Sequence, residues 1–303
     1  MRKYRRISLT FAYMSEFRNT IKLLRIPFSV FLMPVFLLAL SQVPQINLPQ
    51  ALISFLIIHL LVYPASNGYN SYIDKDTESI GGIEHPPQPT KTLFYVTLVM
   101  DLLAIALGAL LVDYRFSICL LVYILASKAY SSTWIRLKKY AVAGFLTVVV
   151  FQGAFTYYMS VAGISSRLLV LDKAALYILL ACSFQIAGAY PLTQIYQHEQ
   201  DKKEGVITLS YRLGYRGTFL FTMLMFLACN VFYFLYFEVI KATAGFYILQ
   251  AFFFPVVAYF MYWFYKVWKD NRHANFKYTM GMNLAAALCM NACFIVLFIN
   301  NRY

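Results

Sequence analysis

Runs of about 20 apolar residues recur along the whole chain, separated by short stretches rich in Lys, Arg, Gly and Pro. A helix needs about 20 apolar residues to cross the hydrocarbon core of a bilayer. On that criterion the pattern predicts spans over residues 24–42, 51–72, 93–113, 116–134, 141–162, 173–193, 217–238, 244–266 and 278–299. The chain therefore reads as an all-α polytopic membrane protein of roughly nine transmembrane helices. Only Asp113-Tyr-Arg115 separates the third span from the fourth. No stretch is left over for a soluble domain, so residues 1–303 read as one domain. The longest connections fall near 74–92 and 197–216, and the first contains Gly81-Gly82 and Pro86-Pro87-Gln-Pro89. The basic start, Met1-Arg-Lys-Tyr-Arg-Arg6, runs into a polar stretch through Thr20 and lacks the immediate apolar core of a cleaved signal peptide. A short amphipathic surface helix is expected over 7–17.

Composition agrees with this class. The chain is 61% hydrophobic and 13% charged, and a soluble chain of this length carries about twice that charge. The net charge of +13 does not imply a nucleic-acid partner, because the cations sit in short loops between spans. Arg2 to Arg25, Lys75, Lys91, Arg136, Lys138, Lys139, Lys202, Lys203, Arg212, Arg216, Lys266, Lys269, Arg272 and Lys277 collect on one side. Arg115, Arg167, Lys173, Lys241 and Arg302 are all that the other side holds. The positive-inside rule then puts the N-terminus and the even-numbered loops in the cytoplasm. The five cysteines lie within apolar runs, without metal-site or disulfide spacing.

The acidic residues keep company with those cations, and Asp and Glu do not set topology. In Asn67-Gly-Tyr-Asn70-Ser-Tyr-Ile-Asp74-Lys-Asp76-Thr-Glu78, an ideal helix puts Asn70, Asp74 and Glu78 within roughly 80° of one face, with Asp76 directed elsewhere. In Gln194-Ile-Tyr-Gln197-His-Glu-Gln-Asp201-Lys-Lys-Glu204-Gly205, Gln197, Asp201 and Glu204 fall within about 60° of each other. Taken alone, either trio is more often a polar helix end than a site. Both, however, close an apolar span on the same membrane face. Oxygen donors in this pattern suit Mg²⁺, with phosphates and water completing its shell. Between them lies Tyr130-Ser131-Ser-Thr-Trp-Ile-Arg136-Leu-Lys138-Lys139, whose cations serve either topology alone or phosphate binding. Asp74-Lys75 recurs as Asp201-Lys202, which suggests two related halves, about 20–135 and 141–275, with a ligand site where they meet.

These stretches resemble the UbiA superfamily of intramembrane prenyltransferases. Its first signature, Asn-Asp-x-x-Asp-x-x-x-Asp, is matched by Asn70, Asp74 and Glu78, with Ser71 in place of the first Asp. Its second, Asp-x-x-x-Asp followed by a basic, Gly-containing stretch and Thr-Leu, reads here Gln197-x-x-x-Asp201-Lys-Lys-Glu-Gly205-Val-Ile-Thr208-Leu. The segment from Tyr130 to Lys139 looks like the family's Tyr-Ser-x-x-x-x-Arg-Leu-Lys-Arg connection, and Leu24-Arg25-Ile-Pro27 looks like the opening of its first helix. The resemblance implies nine helices around a central cavity with a cytoplasmic cap. It implies Mg²⁺, two ions, held by Asn70, Asp74, Glu78, Gln197 and Asp201, and an isoprenyl diphosphate met by Arg25, Arg136, Lys138 and Lys139. Asp74, Asp201 and Lys138 would carry the chemistry, which is ionisation of the C–O bond and capture of an allylic carbocation by an aromatic or similar lipophilic acceptor. Gln197, standing where the family has a carboxylate, supplies an oxygen but no charge.

Polar residues inside the spans are costly in lipid and belong in the bundle interior. His59, Gln152, Gln185, Asn230, Gln250, Asn283 and Asn291 read mostly as interhelical pairs. Gln152 and Gln185, with Asn67 and Tyr130, are candidates for a substrate pocket, and Asp101 is an ionisable group within the third span. Two other functions fit the residues less well. A terpene synthase of the same superfamily would let the substrate's own double bonds capture the cation. A non-enzymatic transporter would bind cations at the loop carboxylates, but transporters place such sites at broken mid-membrane helices, and no such break is evident.

Overall fold

The computed structural model describes residues 14–203 and 205–302. The surface helix expected over 7–17 lies largely outside them, and so does Glu204. Nine helical segments follow one another: α1 Met14–Gln42, α2 Leu48–Asp74, α3 Lys91–Leu111, α4 Tyr114–Ser131, α5 Ala141–Ser165, α6 Lys173–Lys203, α7 Leu209–Val239, α8 Thr243–Lys269 and α9 Phe276–Asn300. Among the described residues eight are long and apolar enough to cross a membrane. The remaining one, α4, carries Arg115 and Lys128 in its 18 residues, which lowers its apolarity. The chain is an integral, multi-pass membrane protein.

Five of the helix starts are set by side chains that accept an otherwise unpaired backbone N–H, a contribution of about 1 kcal/mol each. Asn47 accepts from Gln50, Asp113 from Arg115, Asp172 from Ala175, Thr208 from Tyr211 and Asn275 from Tyr278. Asp113 explains how α3 and α4 are separated by so short a break. The outer faces carry large apolar side chains, such as Leu110 at 80% exposure and Phe254 at 75%, as lipid contact requires. The core is filled by Phe36, Tyr63, Phe116, Tyr233, Phe237 and Phe294, each essentially inaccessible.

α6 sits in the middle of the bundle, against α5 and α7, while α9 packs on α1 and α8, and α2, α3 and α4 form the opposite wall. α5 and α6 touch backbone to backbone: a methyl group on Gly153 would lie 2.8 Å from Ser183 Cα. Small residues permit such approaches in membranes, where close packing replaces the hydrophobic driving force. Most of the polar residues within spans pair between helices, as expected. Tyr233 donates to Gln185 Oε1 at 2.7 Å, Gln250 to Asn230 Oδ1 at 2.8 Å, and Asn291 to the Val30 carbonyl at 3.2 Å. Asp101 on α3 pairs with Lys128 on α4 at 2.7 Å, and the same ammonium lies 4.1 Å from the Tyr69 ring centroid.

Several helices depart from ideal geometry near the site. α1 tightens into a 3₁₀ turn, Ile26–Leu32, after Arg25 at φ 49°. α5 widens into a π turn over Val149–Phe155, an arrangement often found at functional sites. α6 contains Pro191, then a 3₁₀ turn, Ile195–Gln197, before its last helical turns. α7 is broken at Gly214, φ 67° and ψ 177°, so its first turn belongs to the loop region and the span proper follows.

Candidate active site

Three chain segments supply the site at one end of the bundle. The first is the end of α2, where Ser66, Asn67, Asn70 and Asp74 repeat at helical spacing. The helix stops at Asp74 because Lys75 adopts the left-handed conformation, φ 54°, and its N–H bonds back to the Ser71 carbonyl at 3.0 Å. The cap loop that follows is folded tightly: Ile80 and Ile83 exchange both backbone hydrogen bonds at 2.9 Å across Gly81-Gly82. Arg25 secures it, donating to the Gly81 carbonyl at 3.3 Å and the Asn67 carbonyl at 3.2 Å. The second segment is the turn after α4, where Arg136 at φ 45° starts the short helix Leu137–Lys139. The third is the end of α6 with the loop behind it, in which Tyr140 and Ile207 form an isolated parallel bridge between the second and third segments.

A cavity of about 240 Å³ lies between them. Arg25, Asn67, Asn70, Asp74, Tyr130, Lys138, Gln152, Gln197 and Asp201, all expected at the site, line it. Lys138 donates to Asp74 Oδ2 in an ion pair whose side chains are 11% and 4% exposed. Asp74 Oδ1 is buried in the cavity wall without a hydrogen-bond partner, and so is Asn67 Nδ2. Ser131 donates to Asn70 Oδ1 at 2.6 Å, and Thr208 to Asp201 Oδ2 at 3.3 Å. The Tyr130 and Tyr190 hydroxyls hydrogen-bond each other, and Gln194 donates to Tyr190 at 2.9 Å. Deeper in, the wall turns apolar, with Tyr123, Val148 and Phe151.

Other expected residues stand apart. Glu78 does not line the cavity: its side chain is half exposed and pairs with Lys203 at 3.1 Å. Projection along an ideal helix fails there because the helix ends at Asp74, and the turn at Lys75 exchanges the roles of the two following acids. Asp76 lines the cavity in its place. Arg136, Lys139 and Gln185 are likewise outside it: Arg136 starts the turn through its backbone alone, its Nε buried without a hydrogen-bond partner, Lys139 is exposed, and Gln185 is bonded to Tyr233. Sequence reasoning missed Tyr190 and Gln194, although they continue the Gln197–Asp201 face backwards at spacings of three and four residues. It also missed Ser127, which bonds Ser66 at 2.6 Å in the cavity wall.

The profile of the UbiA prenyltransferase family matches residues 30–287. The chain belongs to that family. A UbiA homologue from Archaeoglobus fulgidus, solved bound to GPP and Mg²⁺, aligns with a TM-score of 0.69 at 17% identity, over 93% of this chain and 99% of that one. The apo structure of a UbiA homologue from Aeropyrum pernix K1 gives 0.64 at 17% identity, over 90% and 98%. A digeranylgeranylglyceryl phosphate synthase gives 0.60 at 16% identity, over 95% and 99%. At these identities the likeness is one of fold. No curated protein matches the sequence significantly.

The donor set of this UbiA-family chain fits Mg²⁺. Among the described residues no three Asp, Glu, His or Cys side chains converge into a closed metal cage. Mg²⁺ does not need one, because it binds through one or two carboxylates and takes most of its remaining shell from substrate phosphates and water. The buried Asp74 Oδ1, which has no hydrogen-bond partner, fits such a cation, since leaving a carboxylate oxygen buried and unbonded costs free energy.

Proposed function

We propose that this protein ionises an isoprenyl diphosphate and transfers its prenyl group to a lipophilic acceptor within the membrane, with the site on the cytoplasmic side. The observation that carries the reading is the convergence of Asp74, Lys138 and Asp201, from three separate segments, on one polar cavity with an apolar floor. Asn70, Asp74, Asp201 and the Gln197 oxygen are the groups that would hold Mg²⁺. When bound, Mg²⁺ supplies charge that lets a diphosphate leave an apolar site, an effect worth several kcal/mol.

The chain's own residues do the rest. Lys138, already desolvated against Asp74, is a fixed ammonium that can exchange its carboxylate partner for a phosphate oxygen. Arg25, held by two carbonyls, keeps its charge at the mouth beside the cap loop. As the allylic C–O bond breaks, its electron pair leaves with the diphosphate oxygen. The rings of Tyr123 and Phe151 offer π-faces to the carbon cation left behind. The acceptor then contributes an electron pair to form the new bond and loses a proton. Phe28, Ile80 and Gly81 line the cavity beside the cap loop, where a bound substrate would displace water.

Purified protein incubated with Mg²⁺ and geranyl, farnesyl or geranylgeranyl diphosphate tests the reading. Pyrophosphate release that requires a lipid extract as a source of acceptor is the expected result. Release without it, with a hydrocarbon product, identifies a terpene synthase instead. No release with any substrate rejects both.

A further inference from the structure

The end of α6 grips the cap loop through three side chains spaced three residues apart. Gln197 Nε2 donates to the Ser79 carbonyl at 3.1 Å, Gln200 Nε2 to Asp76 Oδ1 at 3.0 Å, and Lys203 Nζ to Glu78 Oε1 at 3.1 Å. Lys203 and Glu78 are on the exposed outer side, with side chains 69% and 49% accessible. Gln197, Gln200 and Asp76 line the cavity. The loop's grip therefore divides its two acids, one outward to a lysine and one inward beside Asp74.

We infer that Asp76, aimed by Gln200, is the cap-loop carboxylate that binds metal and diphosphate, and that Gln197 and Gln200 together are the clasp that keeps it in the cavity. The inference rests on the proposed function. Three observations support it. Glu78 is turned away and Gln197 is neutral, so Asp76 gives the cavity a third carboxylate beside Asp74 and Asp201. Asp74 Oδ1, buried in the same wall, has no hydrogen-bond partner. Arg25 is close enough to interact electrostatically with both Asp76 and Asp74, as a cation flanking a metal–diphosphate site would.

The same geometry gives a reason for glutamine at 197. A carboxylate there could not donate to the Ser79 carbonyl, whereas an amide donates to it and keeps an oxygen of its own. Gln200 thus acts on the site through the loop, and Gln197 does so with its amide nitrogen while its oxygen is left for Mg²⁺.

Mn²⁺ binding followed by electron paramagnetic resonance, with a non-ionising thiolo analogue of geranyl diphosphate present, tests the inference without turnover. Asp76→Asn is isosteric and retains an oxygen for Gln200, so its fold is preserved, and unfolding midpoints without metal check every variant. Gln200→Leu is expected to weaken Mn²⁺ binding by about 10–100-fold, the range for removing a group that orients a metal ligand, and Asp76→Asn by at least as much. Glu78→Gln is expected to bind as wild type, and Gln197→Asp to bind more weakly despite its added charge. Wild-type affinity in Asp76→Asn, or loss in Glu78→Gln, overturns the inference, and tighter binding by Gln197→Asp overturns the clasp. Wild-type protein that binds no Mn²⁺ under these conditions overturns the parent function as well.

Discussion

Asp74 and Lys138 form a largely buried ion pair, each bonded to the other. Asp74→Asn keeps the shape and removes the charge. It should lower turnover by about two to three orders of magnitude, the scale for losing one contact that stabilises charge in the transition state. Steady-state kinetics of pyrophosphate release measures it. Lys138→Met should raise KM for the diphosphate and lower kcat together, whereas a lysine serving topology alone would leave both unchanged in correctly inserted protein. The places of Asn70 and Asp74 on the cavity wall were legible because regular helix carries their spacing to the end of α2, and that of Asp201 was legible from its acidic stretch even though a 3₁₀ turn precedes it in α6. Glu78 and Asp76 were not, because a single left-handed residue, Lys75, ends that regularity. Arg136 and Lys139 share a loop with Lys138, and only the turn after α4 decides which of the three cations faces inward. The amide at 197 signals a departure in the sequence, but its partner, the Ser79 carbonyl, is 118 positions away and leaves no local trace.

At the scale of elements, apolar run length located all nine helices, while their interruptions stayed hidden. Gly214 breaks α7 at a φ/ψ combination that only glycine adopts readily. Nothing lies within 4 Å of a methyl group built on it, so the cost of Gly214→Ala is purely one of backbone strain, about 1–3 kcal/mol. A lowered unfolding midpoint in detergent is the expected outcome. The π turn that brings Phe151 and Gln152 to the cavity has no apolar signature either, because its residues continue the run on both sides. The Asp101–Lys128 pair ties α3 to α4 within the membrane. Lys128→Met leaves Asp101 buried without its partner, and should destabilise by up to about 3–5 kcal/mol, less where the carboxyl takes up a proton. The double variant Asp101→Leu, Lys128→Met removes both charges and should recover most of that stability. A double variant no more stable than the single one would show that the pair does more than cancel its own burial.

For the whole molecule, the bias of Lys and Arg predicts which side of the membrane the site faces. Trp134, 95% exposed in the turn after α4, and Val170, 78% exposed in the loop between α5 and α6, lie on opposite sides of the bundle. Trp134→Cys should react with a membrane-impermeant thiol reagent only from the cytoplasm, and Val170→Cys only from outside. The five native cysteines lie within spans, and Cys119, Cys182, Cys229 and Cys293 are buried, so background labelling is low. With that orientation, the proposed function would have the diphosphate enter from the cytoplasm while its hydrocarbon tail lies against the apolar floor of the cavity. The most direct test is pyrophosphate release from an isoprenyl diphosphate by wild type and Asp74→Asn, with Mg²⁺ and again with the metal chelated. Release by wild type that disappears on chelation and falls at least about a hundredfold in Asp74→Asn is the predicted result. Release that persists without Mg²⁺, or an Asp74→Asn protein as fast as wild type, would contradict the assignment of this cavity as the active site.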